Sequence, residues 1–220
     1  MILMYKEVNT KMVKYDKIET LYKRDMEGTK KLLVGQFRNK TVEYLKDNIW
    51  IFTEKIDGTN IRIYWDGHTI TFGGRTDDAQ IPVFLLDYLL ATFKTNEVEQ
   101  IFEEKFGETP VTLFGEGYGP KIQKGGTYRK DVSFILFDVF ISGNYQSRET
   151  VEDIAKAFNI DVVPIVLEGT IQDGEDFVKQ HPNSTMGTAK MEGVVGRPKV
   201  EMRDRCGNRV IVKIKWADFK

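Results

Sequence analysis

The stretch EKIDGTN sets a lysine and a carboxylate two positions apart, directly before a glycine. Along an extended strand Lys55 and Asp57 point to the same side, and Gly58 permits a tight turn that a ligand can approach closely. A lysine held in this way could act as a nucleophile toward a phosphorus atom. The KxDG pattern is short, however, and by itself it also fits an ordinary surface strand.

Two further carboxylates stand next to glycines in apolar strands. In GEGYGPK, Glu116 ends an apolar run and has a glycine on each side, and in MEGVVGR, Glu192 precedes Gly193. Glycines around one carboxylate cost chain entropy, which favours the close passage of a ligand. The alternative for Glu116 is a bulge with a solvent-facing side chain.

The segment FILFDV contains one charged residue, Asp138, and the preceding Phe137 points to the opposite face of the strand. Phe137 could lie flat against a flat ligand, or it could simply pack in the core. In the last apolar strand, VIVKIK, Lys213 and Lys215 share one face. Two neighbouring cations repel each other unless an anion lies between them, although solvated lysines on an edge strand are the alternative.

The sequence patterns around these residues predict an α+β fold, in which two clusters of antiparallel strands position the residues and helices pack outside the strands. Alternating or apolar runs predict strands at 49–56, 59–65, 111–117, 133–141, 162–168, 191–197 and 208–216, with a hairpin turn at Asp66-Gly67. Capping and periodicity predict helices at 17–25, from Pro82 to Phe93, from the cap Asn96 to Phe106, from the cap Ser147 to Phe158, and at 175–181. No repeat or linker interrupts the chain, so a single domain over residues 1–220 is expected.

Composition excludes several classes of protein. The chain has 220 residues, 41% of them hydrophobic and 30% charged, and a net charge of −1, which provides no global basic field for nucleic acid. A lone cysteine, Cys206, rules out an internal disulfide, and two histidines make a structural zinc site improbable. No apolar run approaches the ~20 residues that span a bilayer. Basic residues cluster at 121–130 and 197–215, where a solvated face is the alternative to a phosphate contact.

Taken in order, the motifs resemble those of the covalent nucleotidyltransferases, the ligases and RNA capping enzymes that carry a nucleotide on a lysine. The family order of KxDG, a glutamate motif, an aromatic-rich strand, EGxV and KxK is met here by KIDG, GEGYG, FILFDV, EGVV and KIK. The context KIDGTN and the GRT at 74–76 are similar to RNA ligase 2 rather than to DNA ligases or capping enzymes. The resemblance implies a nucleotidyltransferase core, like the ATP-grasp-like ligases, and with only WADFK after Lys215 no C-terminal OB domain is expected.

The resemblance also implies the chemistry. Lys55 would attack the α-phosphate of ATP to form a lysyl-adenylate, AMP would pass to a 5′-phosphate RNA end, and a 3′-hydroxyl would displace AMP. A free lysine, with a pKa of about 10.4, is mostly protonated at neutral pH, so the site must supply neighbouring cations or desolvation. The implied catalytic residues are Lys55, Asp57, Glu192, Lys213 and Lys215.

Further roles follow from the same resemblance. The implied nucleotide contacts are Glu54, Lys55, Asn60, Arg75, Glu116, Phe137, Glu192, Lys213 and Lys215. Mg²⁺ or Mn²⁺ would be held by Asp57, Glu116 and Glu192, through its waters rather than directly. Lys121, Lys124 and Arg129, on a glycine-rich loop, are the predicted contacts to RNA phosphates.

Two other functions stay open at this point: a DNA ligase of the same superfamily, and a non-catalytic nucleic-acid-binding protein that has kept the fold. The expected partners are RNA 5′-phosphate and 3′-hydroxyl ends, with no membrane. An accessory protein could supply RNA binding that appended domains provide in relatives. The expected setting is RNA repair in the cytoplasm, as for a viral enzyme acting in its host.

Overall fold

The computed structural model describes residues 12–123 and 127–220, and Lys124 lies outside them. The strands are β1 (Glu19–Thr20), β2 (Tyr22–Arg24), β3 (Leu32–Phe37), β4 (Trp50–Glu54), β5 (Thr59–Trp65), β6 (Ile70–Gly73), β7 (Val111–Tyr118), β8 (Ser133–Ile141), β9 (Asn144–Tyr145), β10 (Asp161–Val162), β11 (Ile165–Gly169), β12 (Gly193–Pro198) and β13 (Val212–Lys215). The helices are α1 (Lys40–Tyr44), α2 (Val83–Phe93), α3 (Asn96–Phe106), α4 (Arg148–Ala157), α5 (Ile171–Lys179) and a final 3₁₀ turn (Trp216–Phe219).

These strands form two main sheets, and the predicted α+β class is confirmed. One sheet has the order β1-β13-β12-β4-β11, and the other has the order β10-β8-β7-β5-β6 with β9 paired to β8. Strands β2 and β3 form a separate pair. Strand β1 pairs with β13 in parallel, whereas the pairs β4–β11, β4–β12, β12–β13, β2–β3, β5–β6 and β8–β9 are antiparallel.

The described chain divides into two compact units. The first contains the described residues up to Tyr15 together with Asn60–Gly115 and Leu136–Asp161, and the second contains the described parts of Asp16–Thr59, Glu116–Ile135 and Val162–Lys220. Each unit has its own set of buried apolar side chains. The expectation of one domain over residues 1–220 stays a prediction.

In the second unit, strand β12 lies between β4 and β13 and brings three motifs side by side. Val194 is opposite Glu54 on one side and Ile214 on the other, and Gly193 is opposite Lys215. A Cβ on Gly193 would collide with the carbonyl oxygen of Ile214, so only glycine permits this approach of β12 to β13. The KIDG, EGVV and KIK segments therefore converge because their strands are neighbours.

The first unit is held by apolar packing beneath a hairpin. The predicted turn at Asp66-Gly67 is confirmed, and the Asp66 carboxylate accepts hydrogen bonds from the backbone N–H groups of His68 and Thr69 at 2.9 and 2.8 Å. Helices α2, α3 and α4 bury Leu89, Phe102 and other apolar residues on the faces toward the core. The predicted helix from Pro82 to Phe93 and the Ser147 cap are also confirmed.

One element prediction was wrong, and two others misplaced a cap or a helix start. Residues 17–25 contain the strands β1 and β2 instead of a helix, because β1 pairs with β13 and β2 pairs with β3, which local propensity does not reveal. The cap of α3 is Thr95, whose hydroxyl accepts from the Val98 N–H, and not Asn96. Helix α5 starts four residues earlier than predicted, at Ile171, where Thr170 and Asp173 form a capping box.

Among the described residues, no helix is both long enough and apolar enough to cross a membrane.

Candidate active site

The amine of Lys55 is held by a carboxylate from the neighbouring strand. Lys55 follows the end of β4, and its backbone N–H donates to the carbonyl of Gly193 at 3.0 Å. Its Nζ lies 2.6 Å from Oε2 of Glu192, and the side chain is 25% exposed. The amine is therefore fixed beside an anion yet remains accessible to a ligand.

Glu192 binds a second lysine with its other oxygen. Lys215 Nζ lies 2.5 Å from Glu192 Oε1, so one carboxylate joins two ammonium groups from two different segments. Burial by itself would raise the pKa of Glu192, but the charges and hydrogen bonds of Lys55 and Lys215 outweigh burial and lower it below its usual value. Glu192 is thus an anion at neutral pH, and the repulsion expected between clustered lysines is relieved by it.

Lys213 lies two residues before Lys215 on the same side of β13, as the alternating pattern predicts. It is half-buried and sits opposite Val195 on one side and Thr20 on the other. Val212 and Ile214 point the other way into the core. The predicted pair of lysines on one face of the strand is confirmed.

Glu116 packs against the turn that follows Lys55. A Cβ on Gly58 would lie 2.7 Å from Cγ of Glu116 and would also collide with the carbonyl of Gly117, so the turn requires a glycine. Burial raises the pKa of Glu116 to about 8, the attraction of Lys55 and a hydrogen bond from the Gly58 N–H oppose the rise, and repulsion from Glu192 and Asp57 adds to it. Glu116 therefore retains its proton at neutral pH.

Asp57 lies in the same turn and is partly exposed. Its backbone N–H donates to the hydroxyl of Tyr128 at 3.2 Å. This bond connects the KIDG turn to the glycine-rich loop of residues 121–130, because the buried Tyr128 belongs to that loop. The loop is held in turn by the Thr188 N–H, which donates to the carbonyl of Thr127 at 3.2 Å.

Glu54 is buried, with 1% of its surface exposed, and its carboxylate is fully engaged within the fold. It accepts hydrogen bonds from the Ser184 hydroxyl at 2.5 Å, from the Thr185 hydroxyl at 2.7 Å and from the Thr185 N–H at 3.0 Å. The alternation of β4 places Glu54 on the opposite side from Lys55. A nucleotide contact by Glu54 stays a prediction, while its visible role is to anchor the 184–185 turn.

The three lysine and arginine residues predicted to bind RNA have different surroundings. Lys121 is exposed and has a left-handed backbone with φ of 69°. Arg129 is already paired, since its guanidinium donates to both oxygens of Asp131 at 2.8 and 3.0 Å. Lys124 lies outside the described residues.

In the first unit, Phe137 is the half-exposed member of an otherwise buried stretch of β8, from Ser133 to Val139. The ring of Tyr15 meets it edge-on, with centroids 5.0 Å apart. The unexpected Asp138 is fully buried and accepts a hydrogen bond of 2.5 Å from the Tyr15 hydroxyl. Asp138 thus has a structural partner, and Phe137 keeps a partly open ring.

Strand β5 carries two unpartnered polar atoms on one side. The Oδ1 atom of Asn60 and the hydroxyl of Tyr64 are buried and have no hydrogen-bond partner among the described residues. Arg62, between them, is buried but paired, donating to the Gly74 carbonyl at 2.6 Å and to Asp77 at 3.1 Å. Arg62 thereby holds the backbone just before Arg75, which is exposed.

No group of three or more His, Cys, Asp or Glu side chains in residues 12–123 and 127–220 is arranged to hold a metal ion directly. Asp57, Glu116 and Glu192 influence one another electrostatically. A protonated Glu116 is a poor ligand, and Glu192 is taken by two lysines. The donor set therefore fits an ion that keeps its own waters better than one bound directly, and the predicted metal contacts stay a prediction.

Sequence reasoning missed several residues that organise the site. Tyr128, Ser184, Thr185 and Tyr15 are polar or aromatic residues without a motif around them, so no local signal identifies them. Arg62 did carry a signal, because an arginine within the apolar segment IRIYW needs a partner if it is buried. Its partner Asp77 lies in the acidic turn after GRT.

Comparison with known proteins agrees with this geometry. The model of the family described as RNA ligase matches residues 48–215, which is more than half of the chain. A comparison with curated protein sequences found no significant match.

Solved RNA ligases from Naegleria gruberi share the fold. An arginine-to-alanine mutant with ATP and Mn superposes with a TM-score of 0.67 at 18% identity, covering 94% of this chain and 57% of that one. A lysine-to-alanine mutant with ATP and Mn gives 0.66 at 17% identity, covering 96% and 58%. A lysine-to-methionine mutant with AMP and Mn gives 0.65 at 17% identity, covering 94% and 57%. The chain spans just over half the length of these ligases.

Proposed function

Because the chain belongs to the RNA ligase family, we propose that it is an ATP-dependent enzyme that joins RNA ends through an AMP carried on Lys55. The similar Naegleria ligases were solved with ATP, AMP and Mn, which supports a nucleotide substrate and a divalent ion. The KIDG, EGVV and KIK motifs all lie within the matched residues.

The arrangement of Lys55, Glu192 and Lys215 carries this proposal. One carboxylate holds a partly exposed amine at 2.6 Å and is itself held by a second ammonium group at 2.5 Å. Partly buried charges are costly to desolvate, so a cluster of three of them favours a role in function over a role in stability alone. The role proposed here is to fix a nucleophile beside cations that can bind a phosphate.

In the proposed first step, the lone pair of Lys55 Nζ attacks the α-phosphorus of ATP. A nitrogen–phosphorus bond forms, the bond from that phosphorus to the bridging oxygen breaks, and pyrophosphate leaves. In the resting arrangement Nζ donates to Glu192, so the amine must lose a proton to solvent and leave this contact before it attacks. Lys215 keeps Glu192 in place meanwhile, and Lys213 and Lys215 offset charge on the phosphates.

Glu116 is assigned to the ribose of ATP. With a pKa of about 8 it is mostly neutral at pH 7, and a neutral carboxyl group donates one hydrogen bond, which suits a sugar hydroxyl. Asp57 and Glu192 would hold a magnesium or manganese ion through its water shell. When bound, such an ion supplies positive charge to the triphosphate and the departing pyrophosphate.

Three residues of the first unit are proposed as further nucleotide contacts. Phe137 has a partly open ring for stacking on adenine, Asn60 has a buried amide oxygen without a partner among the described residues, and Arg75 is an exposed cation. Each of these side chains has the chemistry that a nucleotide requires: an aromatic face, an acceptor and a positive charge.

The later steps act on RNA. AMP passes from Lys55 to a 5′-phosphate, and a 3′-hydroxyl then attacks that phosphate and releases AMP. Lys121 and Arg129 are proposed to contact the RNA backbone, with an accessory RNA-binding protein as a further proposed partner. The exposed, unpaired Cys206 is consistent with the reducing environment of the cytoplasm, which we propose as the compartment.

Labelling of the protein tests the first step. We expect purified protein, stripped of any bound AMP with pyrophosphate, to acquire acid-labile label from α-labelled ATP and Mg²⁺. Lys55→Ala should lose the label, because the proposal assigns the attacking amine to Lys55 and gives Lys213 and Lys215 the phosphates instead. Lys199→Ala is the matched control, since it removes an exposed lysine that is also paired with a glutamate, Glu168, at 2.9 Å. Absence of label on the stripped wild type would contradict the proposal.

The nature of the strand is tested with nicked duplexes that have RNA or DNA at the 3′-hydroxyl side. Sealing that requires RNA there would support the RNA ligase assignment. Equal sealing of all-DNA nicks would contradict it and favour a DNA ligase.

A further inference from the structure

A cleft of about 610 Å³ adjoins the reaction centre within the second unit. Asp57 and Glu192 form one end of its lining. The remainder comes from the glycine-rich loop, from the segment before β12 and from the final 3₁₀ turn. Lys121, Asp57 and Glu192 have roles assigned above, but none of those roles accounts for the aromatic part of the lining, and the volume lies within the range for small-molecule sites.

An aromatic pair lines the cleft. The imidazole of His181 stacks on the indole of Trp216, with ring centroids 3.6 Å apart and an interplanar angle of 8°. Burial lowers the pKa of His181, and the charges of Lys190 and Lys220 lower it further, so the imidazole is uncharged at neutral pH. Because His181 covers one face of the Trp216 ring and the Lys220 ammonium group covers the other, the flat neutral surface left for a nucleic-acid base is the face of His181 turned away from Trp216.

Cations line the same cleft. Lys121 comes from the glycine-rich loop, Lys190 from the strand-like bridge before β12, and Lys220 lies over the Trp216 ring with Nζ 3.7 Å from its centroid. Lys121 and Lys190 are exposed, and neither forms an ion pair in the described part of the chain. A ligand in this cleft would therefore meet an aromatic ring and the exposed cations Lys121 and Lys190, with the carboxylates Asp57 and Glu192 at one end.

The backbone around the cleft is strained. Six non-glycine residues in the described ranges have positive φ, and three of them line this cleft: Lys121 at 69°, Gln123 at 46° and His181 at 50°. Left-handed backbone is unfavourable for residues with a Cβ, and it concentrates at binding sites, where it aims side chains that a relaxed chain would direct elsewhere. At His181 this conformation also ends helix α5, since His181 follows the cap Gln180, and it directs the imidazole into the lining of the cleft.

We propose that this cleft binds the terminal nucleotide of an RNA strand at one of the two ends being joined, with its base on the face of His181 turned away from Trp216 and its phosphate on Lys121 and Lys190. The inference rests on the proposed ligase function and adds a base-contacting subsite to it. The nucleotide fits because it combines a flat base with an anionic phosphate. Its position beside Glu192 would bring the RNA end next to the adenylylated lysine.

The test separates this subsite from the chemistry with ATP. The probe is a pre-adenylylated donor RNA and an acceptor RNA, annealed to a bridging strand that leaves both terminal nucleotides unpaired. Joining is followed in a single turnover without ATP. His181→Asn removes the ring but tolerates the left-handed backbone, and His181→Phe keeps a flat ring in its place.

We expect His181→Asn to join the intact strands about tenfold more slowly and His181→Phe to stay within about threefold of wild type, in line with the value of one base-stacking contact. Labelling of Lys55 by ATP should remain within about twofold for both variants. With an abasic nucleotide at the bound end, wild type should slow to the rate of His181→Asn. The end at which this occurs, donor or acceptor, identifies the nucleotide that occupies the cleft.

The inference is overturned if wild type joins these strands and His181→Asn joins them equally fast. It is also overturned if the loss in His181→Asn is the same on intact strands and on both abasic strands, since the ring would then act only in folding.

If His181→Asn is also no longer labelled by ATP, a second variant, Lys190→Gln, decides, because Lys190 is exposed and its replacement should leave the fold intact. For this variant, the slope of the logarithm of the RNA binding constant against the logarithm of salt concentration should fall in magnitude by about one, the loss of one phosphate contact. An unchanged slope would overturn the proposal. Failure of wild type to join any strands would instead contradict the proposed function.

Discussion

The two units treat their functional polar groups in opposite ways. In the second unit the charges satisfy one another, as Glu192 binds both Lys55 and Lys215, and the Glu54 carboxylate accepts three hydrogen bonds. In the first unit, one side of β5 buries the Asn60 oxygen and the Tyr64 hydroxyl without partners among the described residues. The only other such atom in those residues is Oδ2 of Asp218, whose second oxygen is bound by Arg24 at 2.5 Å.

This difference indicates two kinds of preparation for a ligand. A paired cluster is stable before the ligand arrives, and the ligand must compete with an existing ion pair. An unpaired buried polar group lowers the stability of the fold by about 1–3 kcal/mol, and a ligand that supplies the missing partner recovers that free energy. Removing a member of the paired cluster should therefore lower stability and activity together, whereas removing an unpaired group that contacts the nucleotide should lower activity alone.

The largest effect is expected from Glu192→Gln in the paired cluster. Glutamine keeps the shape but cannot neutralise Lys55 and Lys215, so their ammonium groups would repel each other. We expect labelling by ATP to fall by at least 100-fold, as when a positioned electrostatic contact is lost, and the free energy of unfolding to fall by about 1 kcal/mol, since both lysines are partly solvated. Labelling kinetics and denaturant unfolding measure the two effects.

Glu168→Gln serves as the control for this variant, because it removes a carboxylate paired with exposed Lys199 and should change neither quantity. Normal labelling of Glu192→Gln would show that the bridging carboxylate has no part in the reaction.

A smaller and more selective effect is expected from Asn60→Ala in the unpaired region. The variant removes a buried oxygen that has no partner in the described chain, so the free energy of unfolding should stay within about 0.5 kcal/mol of wild type or increase. Labelling at low ATP should fall about tenfold, because the nucleotide loses one hydrogen bond to a buried group. Chemical denaturation and the ATP dependence of labelling provide the measurement.

Tyr64→Phe is the matched control on the same side of β5, and it removes the other unpartnered group without a predicted nucleotide role. It should leave labelling unchanged. If Asn60→Ala instead loses stability in proportion to its loss of labelling, the amide acts within the fold and the contrast between the units fails.

What could be predicted from the sequence follows the same division. The KIDG, EGVV and KIK motifs and the hairpin at Asp66-Gly67 are local patterns, and the structure brings Lys55, Glu192 and Lys215 together as the resemblance to the nucleotidyltransferases implied. The helix predicted at 17–25 failed because β1 pairs with a strand near the other end of the chain. Propensity reports local preferences, and a distant partner strand can override them.

The partners of the buried polar groups were equally beyond local reasoning. Glu54 meets Ser184 across a separation of 130 residues, and Tyr15 meets Asp138 across 123. A charged residue in an apolar strand signals that a partner exists, but it does not identify the partner. Such a residue therefore looks the same in a sequence whether it binds a ligand or, like Glu54 and Asp138, binds its own fold.

The last prediction concerns the pH dependence of stability and tests whether Glu116 is protonated at neutral pH. Its pKa of about 8 in the folded chain lies above the ordinary value of 4.5, mainly because of burial. Its favourable contribution is therefore complete below about pH 4.5 and is lost as pH rises through about 8, so the free energy of unfolding should fall over this range. Glu116→Gln, which cannot ionise, should lack this component, and the difference between the melting temperatures of wild type and variant should change by about ten degrees between pH 5 and pH 9, since each unit of pKa is worth about 1.4 kcal/mol. Parallel profiles would mean that Glu116 is ionised at neutral pH, and it would then belong with Asp57 around a hydrated metal ion instead of at the ribose.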